Sequence, residues 1–564
     1  MKKVLLRSVS AAALFVAGPA FAQDNTSTVS QNGTDLGAVV TQTGSDNGST
    51  LTQTGSGNDA NVTQSGTNGT SSVTQSTVNS QTPDRNNTVT VKQAGNSADS
   101  TVVQERGDGI DNRNRVLVEQ DGDNTSRVTQ AGTANGAEVH QSGGTGNDST
   151  INQGGSLNSV GDAVEETASA GVTQFGNDNI STVDQNPASR AVASVLQSGD
   201  ENNSAIRQET VGGPGSSTAS YATVSQTGPS NESTINQLSS ENPSLLDASV
   251  TQDGTDLVST IDQAGSDNTA IVTQAGTDNE SVVEQGLTNT ASAGNAATVD
   301  QQAGASNAYS SVRMNGDGNS ADVIQSAANT ENYTRVDGND NDSSVTQRGA
   351  NGVSTLFQGY QSFVPSPGRT DTAVGNTANV TQTAASEYAD SYVWQAGSNN
   401  TADVTQSGRA AALNTGYNVV DVEQISDGNT ATVDQDADRS RATIYQGWEQ
   451  IVPGTYGYNY AAGTGNTGTI NQMVGGDDSK ADIIQGGSNN TATTEQSGLS
   501  NLSQLNQLGT GLIADVTQSG ADNDSLLVQY GTGNTATVTQ LSNNNDSTVN
   551  QGGTGNTVTV TQGN

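Results

Sequence analysis

Glutamine returns along this chain on a beat of eleven residues: Gln31, Gln42, Gln53, Gln64 and Gln75, then Gln485, Gln496, Gln507, Gln518, Gln529, Gln540, Gln551 and Gln562. Between these runs the same interval reappears at Gln252, Gln263, Gln274 and Gln285 and at Gln424, Gln435 and Gln446. About forty such units fill the chain, and a repeat this short has no core of its own, so it must stack on its neighbours.

Each glutamine ends a pattern N-x-[A/S]-x-[V/I/L]-x-Q-x-G, as in Asn58, Ala60, Val62, Gln64, Gly66 and in Asn268, Ala270, Val272, Gln274, Gly276. Four specified residues at intervals of two is the period of a β-strand, which places Asn, Ala, Val and Gln on one face. The residue before glutamine varies through Thr41, Lys92, Glu119, His140, Asp184, Arg207 and Trp394, the behaviour of a solvated face. Gly-centred breaks such as Thr43-Gly44-Ser45-Asp46 supply tight turns. Pro83, Pro187, Pro214, Pro229, Pro243, Pro365, Pro367 and Pro453 are expected in turns or insertions, and none interrupts the x-V-x-Q core, where a missing N–H would break a ladder.

Two units make a strand-turn-strand-turn rung of 22 residues. Stacked rungs set Asn over Asn, Val over Val and Gln over Gln, which predicts an all-β, amyloid-like repeat β-solenoid. About twenty rungs spaced about 4.8 Å apart give a rod about 95 Å long. One valine per unit cannot offset the ordering of eleven residues, so no rung is stable alone and the last unit is expected to be an open, polymerisation-competent edge.

Composition agrees. Hydrophobic residues are 30% and aromatic residues 3% of the chain against 66 glycines, too little for a thick globular core. Residues 1–22 read as a secretory signal peptide, with Lys2, Lys3 and Arg7 before an apolar run and Ala20-Phe21-Ala22 at the cleavage site. Removing them takes three of the 19 basic residues and leaves all 58 acidic ones, so the net charge moves from −39 to −42 and disfavours nucleic acid as a partner. No segment has the run of about 18 apolar residues that a membrane span needs. Cysteine is absent, which rules out disulfides and thiol-ligated metals.

The units at 263–274 and 529–540, Q-x-G-x-x-N-x-A-x-V-x-Q, resemble the curlin repeat of bacterial curli amyloid subunits. The resemblance covers residues 31–564 after a short segment at 23–30, and makes the chain an unusually long member. It implies a structural subunit of extracellular fibres on the surface of a Gram-negative bacterium, supporting biofilm and cell adhesion. It further implies self-association as the main contact, a nucleating subunit and an outer-membrane secretion channel as partners, and no enzymatic activity. In that family the stacked amides carry assembly. The matching residues here are Asn58, Val62, Gln64, Asn268, Val272, Gln274, Asn534, Val538, Gln540, Asn545, Val549, Gln551, Asn556, Val560 and Gln562. Met314 and Gly338 stand where glutamine is expected, and Thr494 replaces the apolar residue.

Wider spacing predicts loop insertions near 76–86, 154–170, 326–341, 359–376 and 447–465. The last, with Trp448, Tyr456, Tyr458 and Tyr460, is a candidate adhesive loop or a flap over an apolar edge. Chemical motifs dissolve on inspection: Gly463, Gly465 and Gly468 lack a flanking strand and helix, and His140 is the sole histidine for any triad. Glu165-Glu166 and Arg106-Gly107-Asp108 are expected of a polar chain, and Asp46, Asp267, Asp278 and Asp522 do not follow a calcium-solenoid spacing. No catalytic, cofactor or metal site is expected.

Two other readings compete. A permanently disordered acidic polymer would not hold so strict a period. A non-polymerising solenoid adhesin or ice-binding protein is the other; ice binding asks for a regular outward threonine array. Threonine precedes glutamine at Thr41, Thr52, Thr63, Thr74, Thr517, Thr539 and Thr561, but Lys92, Glu119, Phe357 and Tyr445 break the series.

Overall fold

The computed structural model describes residues 24–77, 87–106, 114–132, 134–156, 159–160, 171–189, 191–210, 220–239, 245–286, 292–359, 373–408, 418–450, 458–460 and 463–563. The expected signal peptide, Tyr456, Gly107, Asp108, Glu165 and Glu166 lie outside them. Alternate strands separate into two parallel sheets. The first runs through twenty-one strands, from Thr26–Thr34 to Asp546–Gln551. The second takes the intervening strands, from Gly37–Gln42 to Thr557–Gln562. Every pairing within these sheets is parallel and in phase with the repeat: Gln31 lies beside Gln53 and Gln53 beside Gln75, while Gln42 lies beside Gln64 on the other sheet. One layer of the second sheet is made of two pieces, Ser159–Val160 and Val172–Phe175, both between Gly136–Ser142 and Ala191–Ser198.

The period-two pattern fixes which side chains turn inward. Leu51, Val73 and Val102 from the first sheet and Val62, Val91 and Val118 from the second are fully buried, and their columns meet along the rod axis as one continuous core. The [A/S] position is mostly serine on one sheet and mostly alanine on the other. The first carries Ser49, Ser71, Ser126, Ser149, Ser204 and Ser259, the second Ala60, Ala137, Ala193, Ala222, Ala248 and Ala270, with Ala442 and Ala481 on the first and Ser343 on the second as exceptions.

Corners need two left-handed residues. Gly44 has φ 101° and Asp46 φ 59°. A Cβ on Gly44 would lie 2.1 Å from the carbonyl oxygen of Gly66 in the next rung, so conformation and close stacking both demand glycine. The second position is filled by residues that tolerate positive φ through local hydrogen bonding, among them Asp46, Asn68, Asp267, Asp278 and Asp522. These aspartates therefore have a backbone role beyond charge.

Three expectations are corrected. The stretch 326–341 is not an insertion: it contains the strand Glu331–Asp337, paired in register with Tyr309–Asn315 and Val353–Gln358. Counting glutamines skips this unit because Val336, aligned with Met314 and Gln358, holds the glutamine position, while Gly338 forms the following corner with φ 119°. Pro187 lies within the strand Ile180–Ser189, past its glutamine, where the register slips between Gln153 and Gly155 of the adjoining strand; a bulge accommodates the missing donor. Trp394 points outward yet is only 9% exposed, packed with Ile425, Ala396, Phe357 and Tyr392 in a small apolar cluster on the first sheet's outer side.

Most of the longer connections lead from the first sheet to the second. They join Thr70–Ser76 to Asn87–Gln93, Asp99–Arg106 to Arg115–Gln120, Asn203–Thr210 to Ser220–Thr227, Val353–Gln358 to Thr377–Gln382, and Arg441–Gln446 to Thr467–Gln472. The connection from Thr401–Gln406 to Asn418–Gln424 lies at the opposite corner. Within the expected aromatic loop, Trp448–Gln450 and Tyr458–Tyr460 pair antiparallel, and Trp448–Gln450 lies against the first-sheet strand Lys480–Ser488.

Candidate functional site: the amide columns

An inward glutamine cannot reach water, so its amide must find partners within the stack. Gln64 Nε2 donates to Gln93 Oε1 of the next rung at 2.8 Å, to the Gly48 carbonyl of the opposite sheet at 3.1 Å and to the Gly69 carbonyl at 3.0 Å. Gln274 repeats this with Gln301 Oε1 at 2.8 Å, the Val258 carbonyl at 2.8 Å and the Asn279 carbonyl at 3.3 Å. Gln540 reaches Gln562 Oε1 at 2.9 Å and the Asp524 carbonyl at 2.9 Å. One side chain thus ties rung to rung and sheet to sheet.

Asparagine forms a second column at the corner. Asn268 Nδ2 holds its own turn through the Ala264 carbonyl at 2.8 Å, while its Oδ1 accepts from the Asn295 backbone N–H at 3.0 Å. Asn534 Nδ2 reaches the carbonyls of Tyr530 and Gly553, and its Oδ1 accepts from the Asn556 N–H at 2.8 Å. Asn58 accepts from Asn87 Nδ2 at 3.3 Å, and Asn545 Nδ2 donates to Asn523 Oδ1 at 2.9 Å. Val62, Val272 and Val538 are fully buried between these columns, Val549 is nearly so, and Val560 in the strand Thr557–Gln562 is half-buried. Gln551 and Gln562 donate across to the carbonyls of Thr535 and Asp546.

The columns change chemistry in places. Met314 and Val336, both fully buried, interrupt the first sheet's glutamines between Gln285 and Gln358, and the column resumes from Gln358 to Gln395 at 2.9 Å. Thr494 is buried with its hydroxyl 3.2 Å from that of Ser503 on the opposite sheet.

Charge stays mostly outside. His140 lies between Glu119, 3.1 Å away, and Glu138, 2.6 Å away, on the second sheet's outer face. Lys92, hydrogen-bonded to Glu119, is the main reason that carboxyl sits below its usual range. Beside the apolar cluster burial dominates instead: it pushes Glu423 up to about 8, with Asp421 as the lesser cause, and Tyr392 up to about 12. Tyr445 donates to Asp421 at 2.7 Å.

Strand order, register and amide columns together define a two-sheet parallel β-solenoid whose rungs are joined by side-chain ladders. The family described as curlin associated repeat matches residues 22–55, 246–276, 375–408, 476–509 and 514–541, so the chain carries curlin repeats in several regions along its length. No curated protein matches it.

Proposed function

We propose that this chain is a structural subunit of extracellular curli-like amyloid fibres, assembling rung on rung and supporting biofilm matrix and cell adhesion, with no catalytic role. The supporting observation is the amide column: except where Met314 and Val336 interrupt it, an interior glutamine donates to an identical residue one rung away, so a rung's best partner is another rung of the same kind. A rung exposed at the end of such a stack presents unpaired backbone and is a template for a further strand. The ladder residues from Asn58 to Gln562 named above are the assembly surface in this reading. Export through a curli-type outer-membrane channel and help from a nucleating subunit follow from the family.

Electron microscopy with fibre diffraction of the purified chain tests this. Unbranched fibres with reflections near 4.7–4.8 Å and about 10 Å are expected; protein that stays monomeric at high concentration would refute the reading.

A further inference from the structure

Because neighbouring units lie on opposite sheets, outward positions have to be compared within one sheet. On the second sheet two columns of threonine climb the outer face. From Thr430 and Thr432 they run in register to Thr557 and Thr559, broken only at Ile513 and Asp515, and the first column extends back through Thr401 to Thr377. All of these side chains are half-exposed or fully exposed. At the same height the first sheet has threonine at just two outward positions, Thr443 and Thr548, among Asp, Glu, Arg, Lys, Tyr and Leu. Strand propensity favours threonine equally on either sheet, so it does not account for the contrast. The longer connection at this height also sends its hairpin against the first sheet, to the strand Lys480–Ser488.

Rungs spaced about 4.8 Å apart and outward residues about 6.7 Å apart along each strand make a rigid grid with one hydroxyl and one methyl at each node. On a chain of net charge −39 the two columns carry a single charge, at Asp515. Face-to-face pairing with a second copy would strip water from both columns of hydroxyls and bury Asp515 without a cation, a costly arrangement. A lattice of ordered water leaves each hydroxyl bonded and lets methyls occupy the spaces between. We propose that this threonine grid binds the surface of ice, an activity beyond fibre formation and open to a single rod or a fibre alike.

The test is freezing-point hysteresis and inhibition of ice recrystallisation by the purified full chain. Thr469→Tyr places a ring in the middle of the grid; outward tyrosine is tolerated on these strands, as Tyr221 and Tyr333 are 42% and 40% exposed. It is expected to abolish most of the freezing gap, whereas Asp515→Thr repairs the break and widens it, and Thr548→Tyr on the first sheet changes neither. Absence of any gap in the parent chain overturns the proposal, as does equal behaviour of the two tyrosine variants. If Thr469→Tyr instead abolishes sideways bundling of rods and leaves ice growth untouched, the occupant is a second copy and the proposal falls. Circular dichroism confirms strand content, and should Thr469→Tyr misfold, the response to Asp515→Thr alone decides.

Discussion

A glutamine inside a rung has an amide to satisfy, and the geometry gives it three acceptors at once. Replacing Gln274 by alanine leaves Gln301 Oε1 without its donor and opens a void, at a cost of about 3 kcal/mol. Arrays of repeats do not unfold as a single unit, so the loss should be read by amide hydrogen exchange as lowered protection in the strands flanking 268–277, with distant rungs unaffected. The serine column of the first sheet predicts the opposite sign. The hydroxyls of Ser49, Ser204 and Ser259 are buried without a hydrogen-bond partner. Ser259→Ala is therefore expected to raise local protection, by about 1 kcal/mol, in the same exchange measurement. Sequence pattern showed that this position is small and inward. It hid the separation into serine and alanine walls, because one consensus averages units that belong to different sheets.

At the scale of the strand, legibility depended on side-chain period more than on any single residue type. The alternation around Gln64, Gln274 and Gln540 by itself places Val62, Val272 and Val538 inside. The strand Glu331–Asp337 was missed because its glutamine is Val336 and its valine is Thr334, although the 22-residue gap from Gln325 to Gln347 is two full units. The sequence places Asp46 and Asp278 in Gly-centred turns, and the structure adds that the aspartate itself takes a left-handed backbone there. Outward positions were the least legible, since a solvated and a covered column look alike in one dimension; Trp394 and Glu423 are the examples. Glu423 also gives a pH prediction. Its carboxyl ordinarily titrates at 4.5 and is pushed to about 8 in the fold, so the folded rung holds a proton that the unfolded chain has released. That contribution is fully present below about 4.5 and is lost as pH rises through about 8. Relative to the parent, Glu423→Gln should gain stability progressively across this window, measured as the difference in thermal unfolding midpoints from pH 4 to pH 9.

For the whole molecule, the repeat and the absence of cysteine already implied a stacked rod, and the structure adds which side of the rod is which. Most longer connections leave from the first sheet, which also carries the buried Asp421 and Glu423 and the tryptophan cluster. The second sheet from Thr430 to Thr559 is comparatively plain and rich in hydroxyls. In the two proposals made above, fibre formation and ice binding use perpendicular directions, one along the axis and one normal to a sheet.

Placing most of the spare chain at one corner separates pitch from ornament. A segment spliced into that hinge widens the rod on one flank without altering the rise from layer to layer, so the backbone of the stack can stay constant while its fringe diversifies.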